Sequence, residues 1–173
     1  DAIILISSHF VYATKEENQY IADAGTQVPV MILNGEVDAP NVYGVLTDDM
    51  ACVYKAITKL HEDGLRRILY FYHSNSYSGK KKLEGYRKGV KAMKLQKDEK
   101  LLQFYDSSLQ EIPDMANHLM NLWENGLRFD AVMTSDDELA LGVIKFAKRA
   151  GIRIPEELSV IGYSNSMLAT SGV

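Results

Sequence analysis

Between Arg128 and Asn165 the hydrophobic period of the chain changes twice, and that change leaves few folds open. Ala131 to Met133 is a continuous apolar run that ends in Thr134-Ser135-Asp136-Asp137. Apolar residues then recur at helical spacing, with Leu139, Val143 and Ala147 on one line and Ala140 and Ile144 beside it. Ser135, with Glu138 three positions on, reads as a capping box that sets the helix start. Gly151 supplies the stop, because a left-handed residue costs glycine nothing. Pro155 punctuates the loop, and Leu158 to Gly162 reads as a short buried strand ending in Tyr163-Ser164-Asn165. A strand, helix and strand of this length form a parallel crossover. Polar residues close each strand at its C-terminal end, the edge at which open parallel sheets bind ligands.

The same alternation runs through the rest of the chain. Ile3 to Ile6 is an unbroken apolar run, the mark of a strand covered on both faces. A helix is expected over residues 14–24, with Tyr20, Ile21 and Ala24 inward and Gly25 as its stop. Further strands are expected at 28–33, 42–46, 68–72 and 101–105. A helix with Met50, Val53, Tyr54, Ile57 and Leu60 inward ends at Gly64. Another starts at Lys80 with Leu83, Tyr86, Val90 and Met93 on one face, and a third covers 114–125 with Met115, Leu119, Leu122 and Trp123 inward. Alternating strands and helices make the chain α/β, with Rossmann-like parallel sheets flanked by helices.

Composition narrows function more than fold. The net charge of −4 over 173 residues argues against a free-standing nucleic-acid binder, which shows a basic face. Cys52 is the only cysteine, so an internal disulfide is excluded; its place in an amphipathic helix pattern makes it a small core residue. No apolar run approaches the ~20 residues of a membrane span, so no membrane partner is expected. The chain opens inside a strand pattern without an initiator Met, and is expected to be a piece of a longer protein.

The strand ends carry the candidate chemistry. Ser7-Ser8-His9, Asn34, Asp48-Asp49, His73 to Ser78, Asp106, Ser135-Asp136-Asp137 and Ser164-Asn165 should gather along one sheet edge. Hydroxyls, amides and carboxylates in that mixture suit a neutral polyhydroxylated ligand. Taken singly, each residue reads first as a helix cap; taken as a set, they read as a pocket. Asp48-Asp49 and Asp136-Asp137 have the chemistry to hold Mg²⁺ for phosphoryl transfer, but acids at helix N-termini also complement the dipole, and no Gly-rich phosphate loop accompanies them. Of Lys80-Lys81-Lys82, at most one can reach a pocket, and Lys82 is the one to test. The four histidines show no metal-ligand spacing and no nucleophile elbow is present, so neither a metal, a cofactor nor a catalytic residue is expected.

The stretches A-V-M-T-S-D-D-E-L-A-L-G and I-P-E-E-L-S-V-I-G-Y-S-N resemble the lactose/galactose repressor (LacI/GalR) family of bacterial transcription regulators. V-P-V-M-I-L-N, V-L-T-D-D, G-L-R-R-I-L-Y and K-L-E-G-Y-R-K-G occur in the order of that family. The resemblance implies a periplasmic-binding-protein-like (type I) fold, here incomplete, with residues 1–47 part of an N-terminal subdomain and 48–173 most of a C-terminal one. It implies a cytoplasmic, dimeric regulator whose effector, a sugar or related metabolite, binds between the subdomains. Operator DNA would be read by a helix-turn-helix outside this chain.

By the same resemblance, with the strand-end reading, Ser7, His73, Tyr77, Lys82, Asp136 and Ser164 are the expected ligand contacts. Three of these depart from the family pattern. Asp136 stands where Asn is frequent, Ser164 where G-Y-D-N has Asp, and Lys82 where Arg is frequent. Ser164 cannot chelate two hydroxyls, and Lys82 replaces a planar fork with a point charge, which speaks against an ordinary hexose. An exported sugar receptor of the same fold and a Mg²⁺-dependent phosphotransferase using Asp48 and Asp136 are the alternatives.

Overall fold

The structure, a computed structural model, describes residues 1–6, 11–12, 14–72, 75–104 and 112–171. Its elements are β1 (Ile3–Ile6), α1 (Gln19–Gly25), β2 (Val30–Leu33), β3 (Val42–Val45), α2 (Asp49–Glu62), β4 (Ile68–Tyr72), α3 (Tyr77–Ala92), a 3-10 turn (Glu99–Leu101), β5 (Leu102–Phe104), α4 (Ile112–Glu124), β6 (Ala131–Thr134), α5 (Asp137–Ala150), β7 (Ser159–Ile161) and α6 (Met167–Ser171). They build two parallel sheets, one of three strands in the order β1-β2-β3 and one of four in the order β5-β4-β6-β7. The chain passes from the first sheet to the second between β3 and α2.

The four-stranded sheet is covered on both faces. On one face α2 and α3 bring Val53, Ile57, Leu60, Leu83 and Tyr86 onto Ile68, Tyr70, Ala131 and Met133. On the other, α4 and α5 bring Met115, Leu119, Val143 and Phe146 onto Leu69, Phe71 and Val132. This is why β4 and β6 read as unbroken apolar runs rather than alternating ones. Helices α2 and α3 approach backbone to backbone. A Cβ on Gly85 would collide with the Met50 carbonyl oxygen, and one on Gly89 would lie 2.8 Å from Ile57.

The three-stranded sheet is different, and it corrects the expectation that β1 is covered on both faces. Val30, Ile32, Ile21 and Val11 form a small core on one face, with Leu5, Ala24 and Val42 packed against it. The register puts Ile4, Met31 and Tyr43 in one row of the opposite face and Ile6, Leu33 and Val45 in the next. These six apolar side chains are open to solvent, Ile4 at 68% and Ile6 at 62%. Among the described residues no helix lies over them.

Local corrections have equally simple causes. Cys52 is exposed rather than a core residue, because the buried line of α2 runs through Val53, Ile57 and Leu60. Tyr20 is 46% exposed, and Ile21 and Gly25 are the buried residues of α1. Helix α3 starts at Tyr77 rather than Lys80, since Ser76 is extended and its Oγ accepts from the Gly79 N–H at 3.1 Å. Helix α5 is capped by Asp136, not by a Ser135–Glu138 box: Asp136 is extended and its Oδ1 accepts from the Leu139 N–H at 2.9 Å. The expected stop at Gly151 is there, left-handed at φ 70°.

His118 of α4 lies part-buried beside Gln103, 2.9 Å from its Oε1, and edge-on to Phe71. Burial lowers its pKa below the ordinary 6.5. The unfolded chain therefore takes up this proton first, so stability is full above about pH 6.5 and declines as pH falls through the folded value. Urea titrations from pH 7.5 to 5 should show that decline, and His118→Gln should remove the histidine's part of it.

Candidate functional site

The C-terminal ends of β4, β6 and β7 meet the starts of α2, α3 and α5, and a buried polar cluster fills the junction. Two Asp-Asp pairs organise it by the same rule. In each, the first aspartate caps its helix and the second turns inward. Asp48 accepts from the Ala51 N–H at 3.0 Å, while Asp49 is 2% exposed. Ser78 Oγ and Tyr163 Oη donate to its two carboxylate oxygens, both at 2.5 Å. Asp136 caps α5, while Asp137 is buried and accepts from the Ser166 N–H at 2.6 Å. Asp137 sits so close to Gly162 that a Cβ there would lie 2.6 Å from its Oδ1.

Lys82 enters this cluster from the second turn of α3. It is 8% exposed, its Nζ donates to the Ser135 carbonyl oxygen at 3.0 Å, and it lies 3.7 Å from the centre of the Tyr163 ring. Burial is the largest influence on its pKa and pulls it below the ordinary lysine value; Asp49, Asp136 and Asp137 pull the other way. Tyr163 is driven upward by burial and by its hydrogen bond to Asp49. Among the described residues the buried Tyr70 hydroxyl has no hydrogen-bond partner, and its pKa is raised by burial and by the charges of Asp49 and Asp136. Three carboxylates against one ammonium leave the cluster acidic, which suits a ligand offering hydroxyl donors and disfavours a free anion.

The expected contacts fare unevenly. Lys82 and Asp136 come together in this cluster. Ser164 follows Tyr163 at its mouth, exposed and left-handed at φ 93°. Tyr77 lies at the start of α3, and its hydroxyl donates to Glu36 Oε2 at 3.1 Å, across to the first sheet unit. Ser7 and His73 lie outside the described residues. Sequence reasoning had Asp49, Ser78 and Asp137 in the strand-end set but did not single them out, and it missed Tyr163. The usable signal was the doubling itself, since one aspartate suffices to cap a helix and the second needs another partner. Among the described residues no group of three or more His, Cys, Asp or Glu gathers as a metal site, and no helix is long and apolar enough to cross a membrane. A cavity of about 570 Å³ lies at the other end of α3, between Tyr86, Val90, Leu95 and Leu102. Its acids Asp98 and Glu99 are paired with Arg67 and Lys97, away from the strand ends.

Residues 57–172 match the family model of the periplasmic binding protein-like domain, which is the class this two-sheet fold defines. The chain is 44% identical to an HTH-type transcriptional regulator of Lachnoclostridium phytofermentans over 98% of its own length and 50% of that protein's. It is 27% identical to the HTH-type transcriptional regulator AscG of Escherichia coli K12, over 91% of this chain and 46% of that one. Its structure is similar to that of a LacI-family sugar-binding transcriptional regulator of Escherichia coli complexed with phosphate. That match has a TM-score of 0.79 and 27% identity, and covers 98% of this chain and 59% of the other. The chain therefore belongs to the periplasmic binding protein-like family, and over its length it is similar to the cores of LacI-type regulators. It spans about half the length of the curated relatives it matches, and those relatives are named as regulators, not enzymes.

Proposed function

We propose that this chain senses a small neutral effector, a sugar or related polyhydroxylated metabolite, between two subdomains, residues 1–47 and 48–173. Effector binding would control operator binding by a helix-turn-helix outside this chain, in a cytoplasmic homodimer. The observation that carries the reading is the buried Lys82–Asp49–Tyr163 cluster at the strand ends, flanked by Asp136 and Ser164. The similar Escherichia coli regulator is a sugar-binding protein, which supports the ligand class. The names of the curated relatives support a regulator over an exported receptor. Coupling of this kind is a shift between two states of the subdomain pair, each ligand favouring one.

A thermal-shift screen of mono- and disaccharides should raise the melting temperature for a subset, with no consumption of the sugar. Turnover, or the absence of any shift across the panel, would sink the reading. With the best sugar, Asp136→Ala should weaken binding about tenfold in calorimetry. It should also cost about 1 kcal/mol of stability through the lost cap. Asp136→Asn keeps a capping oxygen and separates the two effects. Unchanged affinity in both variants removes Asp136 from the site.

A further inference from the structure

The first turn of α3 belongs physically to both sheet units. Its N-cap residue, Ser76, forms an antiparallel bridge with Tyr12 of the first unit. The Tyr77 N–H donates to the Val11 carbonyl at 3.3 Å. The Tyr77 ring packs against the first unit's core of Val11, Ile21, Val30 and Ile32, and its hydroxyl reaches Glu36 in the loop between β2 and β3. The receiving segment is itself pinned. Asn18, 6% exposed, accepts from the Tyr12 N–H at 2.8 Å and donates to the Tyr12 and Thr14 carbonyls at 3.0 and 2.9 Å. A buried amide using its acceptor and both donors in this way holds the Tyr12 and Thr14 backbone groups in place.

Five residues after Tyr77 on the same helix comes Lys82, about 7.5 Å along the axis. The helix that delivers the cation to the polar cluster is thus packed, at its first residue, against the hydrophobic core of the opposite unit. The chain itself crosses between the units after β3, and on the first unit's side of that crossing the Asn34 side chain accepts weakly from the Thr47 N–H at 3.4 Å. Asn34 is left-handed at φ 63°, a point at which the backbone turns.

We propose that Tyr77 is a positioning residue rather than a ligand contact: its ring and hydroxyl clasp α3 to the first unit and fix the separation of the two halves between which the effector binds. The reading rests on the proposed function for its consequence, but not for its geometry. The ring carries more of the clasp than the hydroxyl, because Glu36 is exposed and an exposed hydrogen bond contributes little.

The test uses the full chain in a Cys52→Ser background, with nitroxides on cysteines introduced at Asp23 of α1 and Lys55 of α2, both exposed positions. The distance distribution between them, read by double electron–electron resonance, should be narrow in the parent. In Tyr77→Ala it should broaden toward longer distances, and in Tyr77→Phe and Glu36→Gln by a smaller amount, with far-UV circular dichroism unchanged. Affinity for the sugar found by the thermal-shift screen should then fall about threefold to tenfold in Tyr77→Ala. A distribution unchanged in Tyr77→Ala overturns the clasp; if sugar affinity nonetheless falls, Tyr77 is a ligand contact and the effector reading stands. A broadened distribution in a protein that answers no sugar supports the clasp and counts against the effector reading.

Discussion

Replacing Asp49 with alanine should destabilise the four-stranded unit by about 3 kcal/mol, the scale for breaking a buried, hydrogen-bonded charge cluster. The carboxylate is 2% exposed and accepts from Ser78 and Tyr163. Without it two hydroxyls lose their acceptor, and the Lys82 ammonium loses a counter-charge in a buried setting. Asp49→Asn keeps one acceptor oxygen and should cost less. Adding Lys82→Met to Asp49→Ala should recover part of the loss, because the uncompensated charge is then gone. The pH dependence has a fixed sign. Lys82 has a lowered pKa, so protonating it costs the folded state more than the unfolded one, and the penalty is present below the folded value. Urea unfolding of Asp49→Ala should therefore show stability recovering as pH rises through the lowered lysine pKa toward 10.5. An Asp49→Ala loss under about 1 kcal/mol, or one that Lys82→Met does not ease, would show that the cluster is not coupled in this way.

Gly85→Val should be comparably severe, at about 3 kcal/mol. The Cβ it introduces has no room, since the Met50 carbonyl oxygen occupies the place and Met50 Cα lies 3.1 Å away. Backbone cannot rotate aside as a side chain can, so α2 and α3 must separate. The separation would start beside Asp49, the residue before Met50, and would carry the polar cluster with it. The comparison is Gly64→Ala, where no atom lies within 4 Å and the cost comes only from its φ of 91°, about 1 kcal/mol. Chemical denaturation of the two variants should rank them in that order, and equal losses would mean that the helix contact yields.

The layered α/β order was legible because the apolar periods are long and clean. β4, β6, α2 and α5 lie where Ile68–Tyr72, Ala131–Met133, the Met50–Leu60 spacing and the Leu139–Ala147 spacing put them. Helix starts were less legible. Ser135 and Asp136 are both good caps, and only the extended backbone at Asp136 decides between them. Coverage of β1 was not legible at all, since an apolar run reports the preference of the strand and not the presence of a neighbour. The site was half visible. Asp136 stood out by its position after a strand and Lys82 by its place in the lysine run, whereas Asp49 and Tyr163 become partners only once residues 114 positions apart are brought together. A second aspartate after a capping one is the trace such a pair leaves in a sequence.

The face of β1, β2 and β3 that no described residue covers changes what kind of quantity the stability of this chain is. The four-stranded unit is closed by its own helices, so its free energy of unfolding belongs to the chain. Covering Ile4, Ile6, Met31, Leu33, Tyr43 and Val45 is favourable at about 25 cal/mol for each Å² of apolar surface removed from water. Whatever covers them contributes to holding the first unit folded, and by mass action that contribution grows with the concentration of the covering molecule. The two halves of the chain therefore differ in kind: the apolar faces of the second are covered by its own helices, while the stability of the first also depends on its company in solution.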